Sequence, residues 1–174
     1  MEAGSADRIV AMVHEYAVPV HRYLLRRLAG APDAQGQAED LTSEVFLVAW
    51  RRRDDVPVDA ELPWLYAVAR RLLANHRRRP ADIAVDDLGS LEGIDEADPA
   101  DIVTRDAALA AAWRQLSSRD REILRLSVWE GLSGDDLAAA LGISAGGAAA
   151  ALSRARARLV EQISAHDVKE AVAP

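Results

Sequence analysis

Six side chains between positions 64 and 78 form the first chemically suggestive set: Trp64, Arg70, Arg71, Asn75, Arg77 and Arg78. None is a nucleophile or a neutral-pH base. Guanidinium groups pair with phosphates, while an indole ring or an arginine plane stacks on an unpaired base. The set therefore suits the holding of nucleic acid. A solvated basic helix end with one Trp turned into the core explains the same residues, and spacing alone leaves both readings open. A second set is Asp40 and Glu44, four residues apart and so on one helical face, where like charges cost a little stability. A third is Arg154, Arg156 and Arg158, which follow a run of glycine and alanine.

These residues must be carried by helices. Leu41, Val45, Val48 and Ala49 recur at helical spacing and form one apolar stripe, with Phe46 and Trp50 off it and the acids on a third face. A helix apolar on two sides and acidic on another packs inside a domain and also meets a partner. A loop at 33–37 leads into it, and it is read to about Arg53. The connection Asp54–Leu62 follows. The next helix is read from Pro63, a good first-turn residue, to Arg79-Pro80. Its core stripe is Leu65, Val68, Ala69 and Leu72. Trp64, Arg71, Asn75 and Arg78 share the opposite face, with Arg70 and Arg77 to one side. Upstream, Val10, Val13, Ala17, Val20, Leu24 and Leu28 sit three or four apart, and Pro19 is predicted to divide them into two short helices.

Beyond residue 104 the pattern is helical again. Ala107–Leu116 reads as a helix. Ser117 with Asp120 forms a capping pattern for a helix through Trp129, with Ile123, Leu124 and Leu126 inward. Ser133 with Asp136 repeats the pattern before Leu137, Ala138 and Leu141. Gly142 makes a turn, and Ser144 is placed to cap a last helix built on Ala148, Leu152, Ala155 and Leu159. Two helices joined by a tight glycine turn make a helix-turn-helix. The fold class is all-α: two small helical domains, 9–79 and 105–163, joined by a flexible linker at 80–104.

Composition agrees. Half of the 174 residues are hydrophobic and only 5% are aromatic, which favours helices over sheets. There is no cysteine, and His14, His21, His76 and His166 lack ligand-like spacing, so no disulfide, metal site or cofactor is expected. No group of titratable residues suggests a catalytic site, so an enzyme is not expected. No run reaches membrane-span length and no signal pattern opens the chain. The reading is a soluble cytoplasmic protein without membrane insertion. The net charge of −7 is unevenly spread. Residues 19–79 carry eleven arginines against eight acids. Residues 80–104 carry eight acids and no base, and 105–164 carry eight arginines against seven acids. Binding follows the local field, so the acidic total does not exclude a DNA partner.

AEDLTSEVFLVAW followed by WLYAVARRLLANHRRR resembles region two of bacterial sigma factors of the extracytoplasmic-function (ECF) group, within the sigma-70 family. LSSRDREILRLSVWEGLSGDDLAAALGIS and LSRARARL resemble region four. The resemblance implies a subunit that binds core RNA polymerase, recognises promoter DNA and melts it, commonly held by an anti-sigma factor. It implies that Asp40, Leu41, Glu44, Phe46, Leu47 and Trp50 contact the polymerase. It implies that Trp64, Arg70, Arg71, Asn75, Arg77 and Arg78, with the loop Asp54–Leu62, hold the melted proximal promoter box. It also implies a linker threaded near the polymerase active-site and RNA-exit channels.

The match departs from the family in one informative place. The last helix should carry base-reading side chains near its start. Here stand Gly146, Gly147, Ala148, Ala149, Ala150 and Ala151, of which alanine can touch a thymine methyl and little more. Ser144, Gly147, Ala149, Ala151, Arg154, Arg156 and Arg158 are the DNA-facing candidates. Ser43 stands where the family often has Gln, and Arg71 where it often has Asn. Two other readings stay open: a sigma-like regulator without independent distal-promoter recognition, and a plain helix-turn-helix repressor.

Overall fold

The computed structural model describes residues 2–78 and 107–171, and every described element is a helix. The chain divides into two units between Ala97 and Asp98. The acidic segment 80–104 lies outside the described residues.

The first unit packs three helices: α1 (Glu2–Leu28), α2 (Ala34–Arg51) and α3 (Glu61–Arg78). Pro19 lies inside α1, so the predicted break does not occur. An interior proline costs about 3 kcal/mol through its missing N–H and its clash with the preceding turn. Burial on both sides of it offsets that cost: Ile9 and Met12 before, Val20, Tyr23, Leu24 and Leu28 after. These also correct the expected stripe. Val10 and Val13 face outward, and the parallel row Ile9–Met12 faces the core instead. The sequence is apolar on both rows, and the larger side chains fill the interior.

Helix α2 begins at Ala34 rather than after Gln37. Asp33, in a left-handed conformation, is its N-cap, and its carboxylate accepts from the Gly36 N–H at 3.2 Å. Such a cap contributes about 1 kcal/mol. A β-carbon at position 36 would collide with that carboxylate, so the cap needs glycine there. Ala38, Leu41, Val45 and Ala49 are buried on α2; on α3 the buried row is Pro63, Leu65, Tyr66, Val68, Ala69, Leu73 and Ala74. Tyr23 and Tyr66 meet with ring centroids 5.0 Å apart. Arg27 is 2% exposed, an uncommon place for a charge. Its guanidinium lies over the Tyr23 ring, 3.6 Å from the centroid, and donates to the Tyr23 carbonyl at 3.1 Å. His76 and Gln37 are hydrogen-bonded at 2.9 Å and tie α3 to the first turn of α2.

The second unit holds α4 (Ala107–Gln115), α5 (Ser118–Val128), α6 (Gly134–Leu141) and α7 (Ala145–Ala171). Ser117 caps α5 reciprocally: its Oγ accepts from the Asp120 N–H at 3.1 Å and donates to the Asp120 carboxylate at 2.8 Å. Ser133 precedes α6 but makes no side-chain cap. Backbone bonds from Asp136 and Leu137 to its carbonyl take that role. Gly142 adopts φ +69°, open to glycine at no steric cost, and ends α6. The axes of α6 and α7 differ by 91°, as expected for a helix-turn-helix. Ala138, Ala140, Ala148, Ala151 and Ala155 are buried, so small side chains let these helices approach closely. Trp113 and Trp129 lie 6.3 Å apart, with the buried Arg125 guanidinium 5.6 and 5.8 Å from their centroids. No single helix among the described residues is long and apolar enough to cross a membrane.

Candidate functional site

Helix α2 turns Leu41, Val45 and Ala49 into the core, and this leaves the opposite face outward. Asp40, Ser43, Glu44, Leu47 and Trp50 are all exposed there, Leu47 by 53% and Trp50 by 46%. Two carboxylates beside two large apolar side chains form a surface for a basic, partly apolar partner. Phe46 is half-buried beside them. Leu41 is 3% exposed and belongs to the core, so it leaves the contact set expected from the sequence. One helix cannot present 41 outward while 45 and 49 face inward.

On α3 the basic residues separate by task. Arg71 and Arg78 are exposed, while Trp64, Arg70, Asn75 and Arg77 are half-buried. Arg78 donates to the Asn75 side-chain oxygen. Arg77 donates to the Arg27 carbonyl, joining the ends of α3 and α1, which gives it a structural task in place of a purely DNA-facing one. The Arg52 guanidinium lies 5.8 Å from the Trp64 ring centroid and pairs with Asp55 at 3.0 Å. The sequence offered no sign of this clamp, because position 52 reads as one of three equivalent arginines.

The loop between α2 and α3 is built rather than slack. Val56 is 3% exposed and anchors it, whereas Val58 is 70% exposed. Asp59 has φ +65°, a left-handed conformation that costs a non-glycine residue about 1 kcal/mol and that Asp tolerates better than most. Arg8 of α1 reaches the loop. Its Nη2 lies 2.9 Å from the Val56 carbonyl, 2.9 Å from that of Pro57 and 3.1 Å from the Glu61 carboxylate.

In the second unit, the start of α7 exposes Gly146, Ala149 and Ala150. Ala151 is 5% exposed and packs inward, which removes it from the base-reading face. Gly147 is half-buried under Ser144, whose Oγ accepts the Gly147 N–H at 3.1 Å. Ser153 is exposed on the outward face and was missed from the sequence, where it reads only as a spacer before Arg154. Arg154 and Arg156 are exposed, and Arg156 makes a long 3.5 Å contact with Ser127. Arg158 is tied down: its Nε and Nη2 grip both oxygens of Asp120, at 2.8 and 2.5 Å. It therefore links α7 to the cap of α5 while its side chain stays 47% exposed, so it has a structural task besides the one expected at DNA.

Burial would raise the Asp120 pKa, but the hydrogen bonds from Arg158 and Ser117, with the nearby charges of Arg158 and Arg119, outweigh it and hold the carboxyl below its ordinary value. A carboxylate depressed in the folded state stabilises it fully above the unfolded pKa, about 4, and loses that contribution as pH falls through the folded value. Asp120→Ala also removes one partner of the cap. It is expected to lower the stability of this unit at pH 7 by about 1–2 kcal/mol. Thermal melts from pH 7 to pH 3 should show the gap between wild type and variant closing at the acid end. A gap independent of pH would refute the ionic role.

The comparisons with known proteins fit this geometry. Residues 12–82 match the family model "Sigma-70 region 2" and residues 106–159 match "Sigma-70, region 4". The chain is 34% identical to the ECF RNA polymerase sigma factor SigF of Caulobacter vibrioides over 158 residues, covering 86% of this chain and 82% of SigF. It is 31% identical to the ECF RNA polymerase sigma factor BldN of Streptomyces coelicolor over 153 residues, covering 83% of this chain but only 56% of BldN. The fold is similar to that of the sigma factor RpoE in complex with the anti-sigma factor NepR from Bartonella quintana. That likeness has a TM-score of 0.55 and 22% identity, and covers 91% of this chain and 97% of that one.

Proposed function

Because the chain belongs to the ECF RNA polymerase sigma factors, we propose that it binds core RNA polymerase through the outward face of α2 and opens promoter DNA with α3 and the loop before it. The observation that carries this reading is that one small unit exposes two separate surfaces. Asp40, Glu44, Leu47 and Trp50 stand on α2, while Arg71 and Arg78 stand on α3. An acidic and apolar face repels DNA, and a basic face attracts it, so a single unit can hold a protein and a nucleic acid at once. The protein works as a binding subunit in the cytoplasm, without a catalytic step of its own. An anti-sigma factor is a further partner, and by competing for the α2 face it would keep the protein off the polymerase. The test is co-purification: tagged protein should retain core polymerase from a mixture of purified subunits. Retention of DNA but not polymerase would instead support a plain helix-turn-helix repressor. The domain limits 9–79 and 105–163 remain part of this proposal, with 80–104 as the connection.

The second unit contributes little sequence reading of its own. A good bidentate base contact is worth roughly 1–3 kcal/mol, and Gly146, Ala149 and Ala150 offer none. Arg154, Arg156 and Ser153 remain to hold phosphates. Scrambling the distal promoter box is therefore expected to change transcription by less than about threefold, because nonspecific phosphate contacts do not distinguish sequences. Affinity of the same unit for any duplex should fall steeply with added salt. A tenfold or greater loss on scrambling would show that α7 reads sequence despite its alanines.

A further inference from the structure

The Arg8 guanidinium joins the first helix of the chain to the loop between α2 and α3. Its terminal Nη2 has two hydrogens and is shared by three acceptors: the carbonyls of Val56 and Pro57 and the carboxylate of Glu61. Two consecutive carbonyls turned to one nitrogen fix the direction of the chain through Val56 and Pro57. Val56 is buried beneath, and the Arg8–Glu61 pair is largely shielded, with side chains 30% and 17% exposed. Carbonyls pointing inward are unusual in a surface connection, which normally leaves its polar groups to water. The near side of the loop is held separately. The Asp55 N–H donates to the Arg52 carbonyl at 2.8 Å, and Arg52 pairs with Asp55 while facing the Trp64 ring. The far side is held by the Trp64 N–H donating to the Ala60 carbonyl at 3.1 Å. Between these ties stand Val58, 70% exposed, and Asp59, held at φ +65°. The result is a crest tied on both sides that presents the exposed side chains of Val58 and Asp59 just ahead of α3.

We propose that Arg8 is a positioning residue for this loop, and that by fixing the Val58–Asp59 crest it sets which bases of the melted proximal promoter box are accepted. The inference rests on the proposed promoter-melting function. A loop that selects a splayed base must hold its shape before the base arrives, because a slack loop adapts to several bases and discriminates among none. Arg8 itself touches no base in this scheme, and its effect passes through the Val56 and Pro57 carbonyls.

The test uses the full chain with core polymerase on a template library randomised across the proximal box, with run-off transcripts sequenced. Wild type is expected to enrich a preferred base about tenfold at one or more positions, the discrimination that one well-formed contact gives. Arg8→Met keeps the apolar stem and removes the donors. It should flatten that enrichment to less than about threefold while core affinity stays within about twofold, since Arg8 acts on discrimination and not on α2. Arg8→Lys, a single cationic head, should restore part of the preference. Glu61→Gln, which loosens the guanidinium without removing it, should flatten the preference partially even if Arg8→Met folds poorly. Lower transcript yield with an unchanged base ratio in the Met and Gln variants would mean a merely structural role and would overturn the proposal. No base preference or no transcript from wild type would overturn the promoter-reading function itself and the proposal with it. That outcome is visible before any variant is made.

Discussion

Reversing both acids of α2, Asp40→Lys with Glu44→Lys, is expected to weaken core polymerase binding by at least about 3 kcal/mol, more than a hundredfold in Kd. The size depends on desolvation. Exposed ion pairs contribute well under about 1 kcal/mol, but Leu47 and Trp50 flank these acids and would exclude water when the interface closes. A charge left facing a like charge in a dry interface costs far more than the lost attraction alone. Trp50→Ala should independently cost about 2 kcal/mol or more, since aromatic anchors dominate such interfaces. The folded unit should survive all three changes, because each side chain is exposed and the core row of α2 is Leu41, Val45 and Ala49. Titration of labelled core polymerase measures the effect, and an unchanged Kd in the double variant would remove α2 from the interface.

Arg71→Ala is expected to reduce open-complex formation about tenfold or more while leaving core affinity unaltered, in line with the 1–3 kcal/mol typical of a stacking or phosphate contact to single-stranded nucleic acid. Arg71 is the informative choice because it is exposed, whereas Arg77 is bonded to the Arg27 carbonyl. Substituting Arg77 would disturb the junction of α1 and α3 and confuse stability with function. Permanganate footprinting of the melted bases reads the result directly. Equal reactivity with wild type and variant would return α3 to an ordinary solvated basic surface.

Much of the architecture was legible in the sequence because it rests on local rules. Helical spacing gave the core rows of α5 and α6 and most of those of α2 and α3, where Val48 and Leu72 are only half-buried and Leu73 lies inside in place of Leu72. The Ser117 cap followed from a serine placed three residues before an acid. Some misses depend on which of two neighbouring rows a partner helix covers, and others on tertiary contacts that no local rule reaches. Val10–Val13 and Ile9–Met12 are both apolar rows on α1, and only the packing chose the second. Pro19 was read as a break because the local cost is large, whereas the burial that offsets it is tertiary. Among the candidate site residues, Leu41, Ala151, Arg77 and Arg158 are assigned to partners through the family resemblance, although Leu41 also belongs to the apolar stripe. Leu41 and Ala151 are buried, and Arg77 and Arg158 are tied by contacts 50 and 38 positions away. Arg8 could not be found from sequence at all, since its partners are main-chain carbonyls nearly fifty residues downstream.

On the proposed function, this chain directs initiation by core polymerase and reads the promoter with its first unit. Run-off transcription with purified core polymerase tests it most directly, on one promoter template in three forms: intact, distal box scrambled, proximal box scrambled. The expected result is a discrete transcript from the intact template that depends on the added protein, a similar yield with the distal box scrambled, and loss of the transcript with the proximal box scrambled. No protein-dependent transcript from any template, or a yield that follows the distal box and ignores the proximal one, would contradict it.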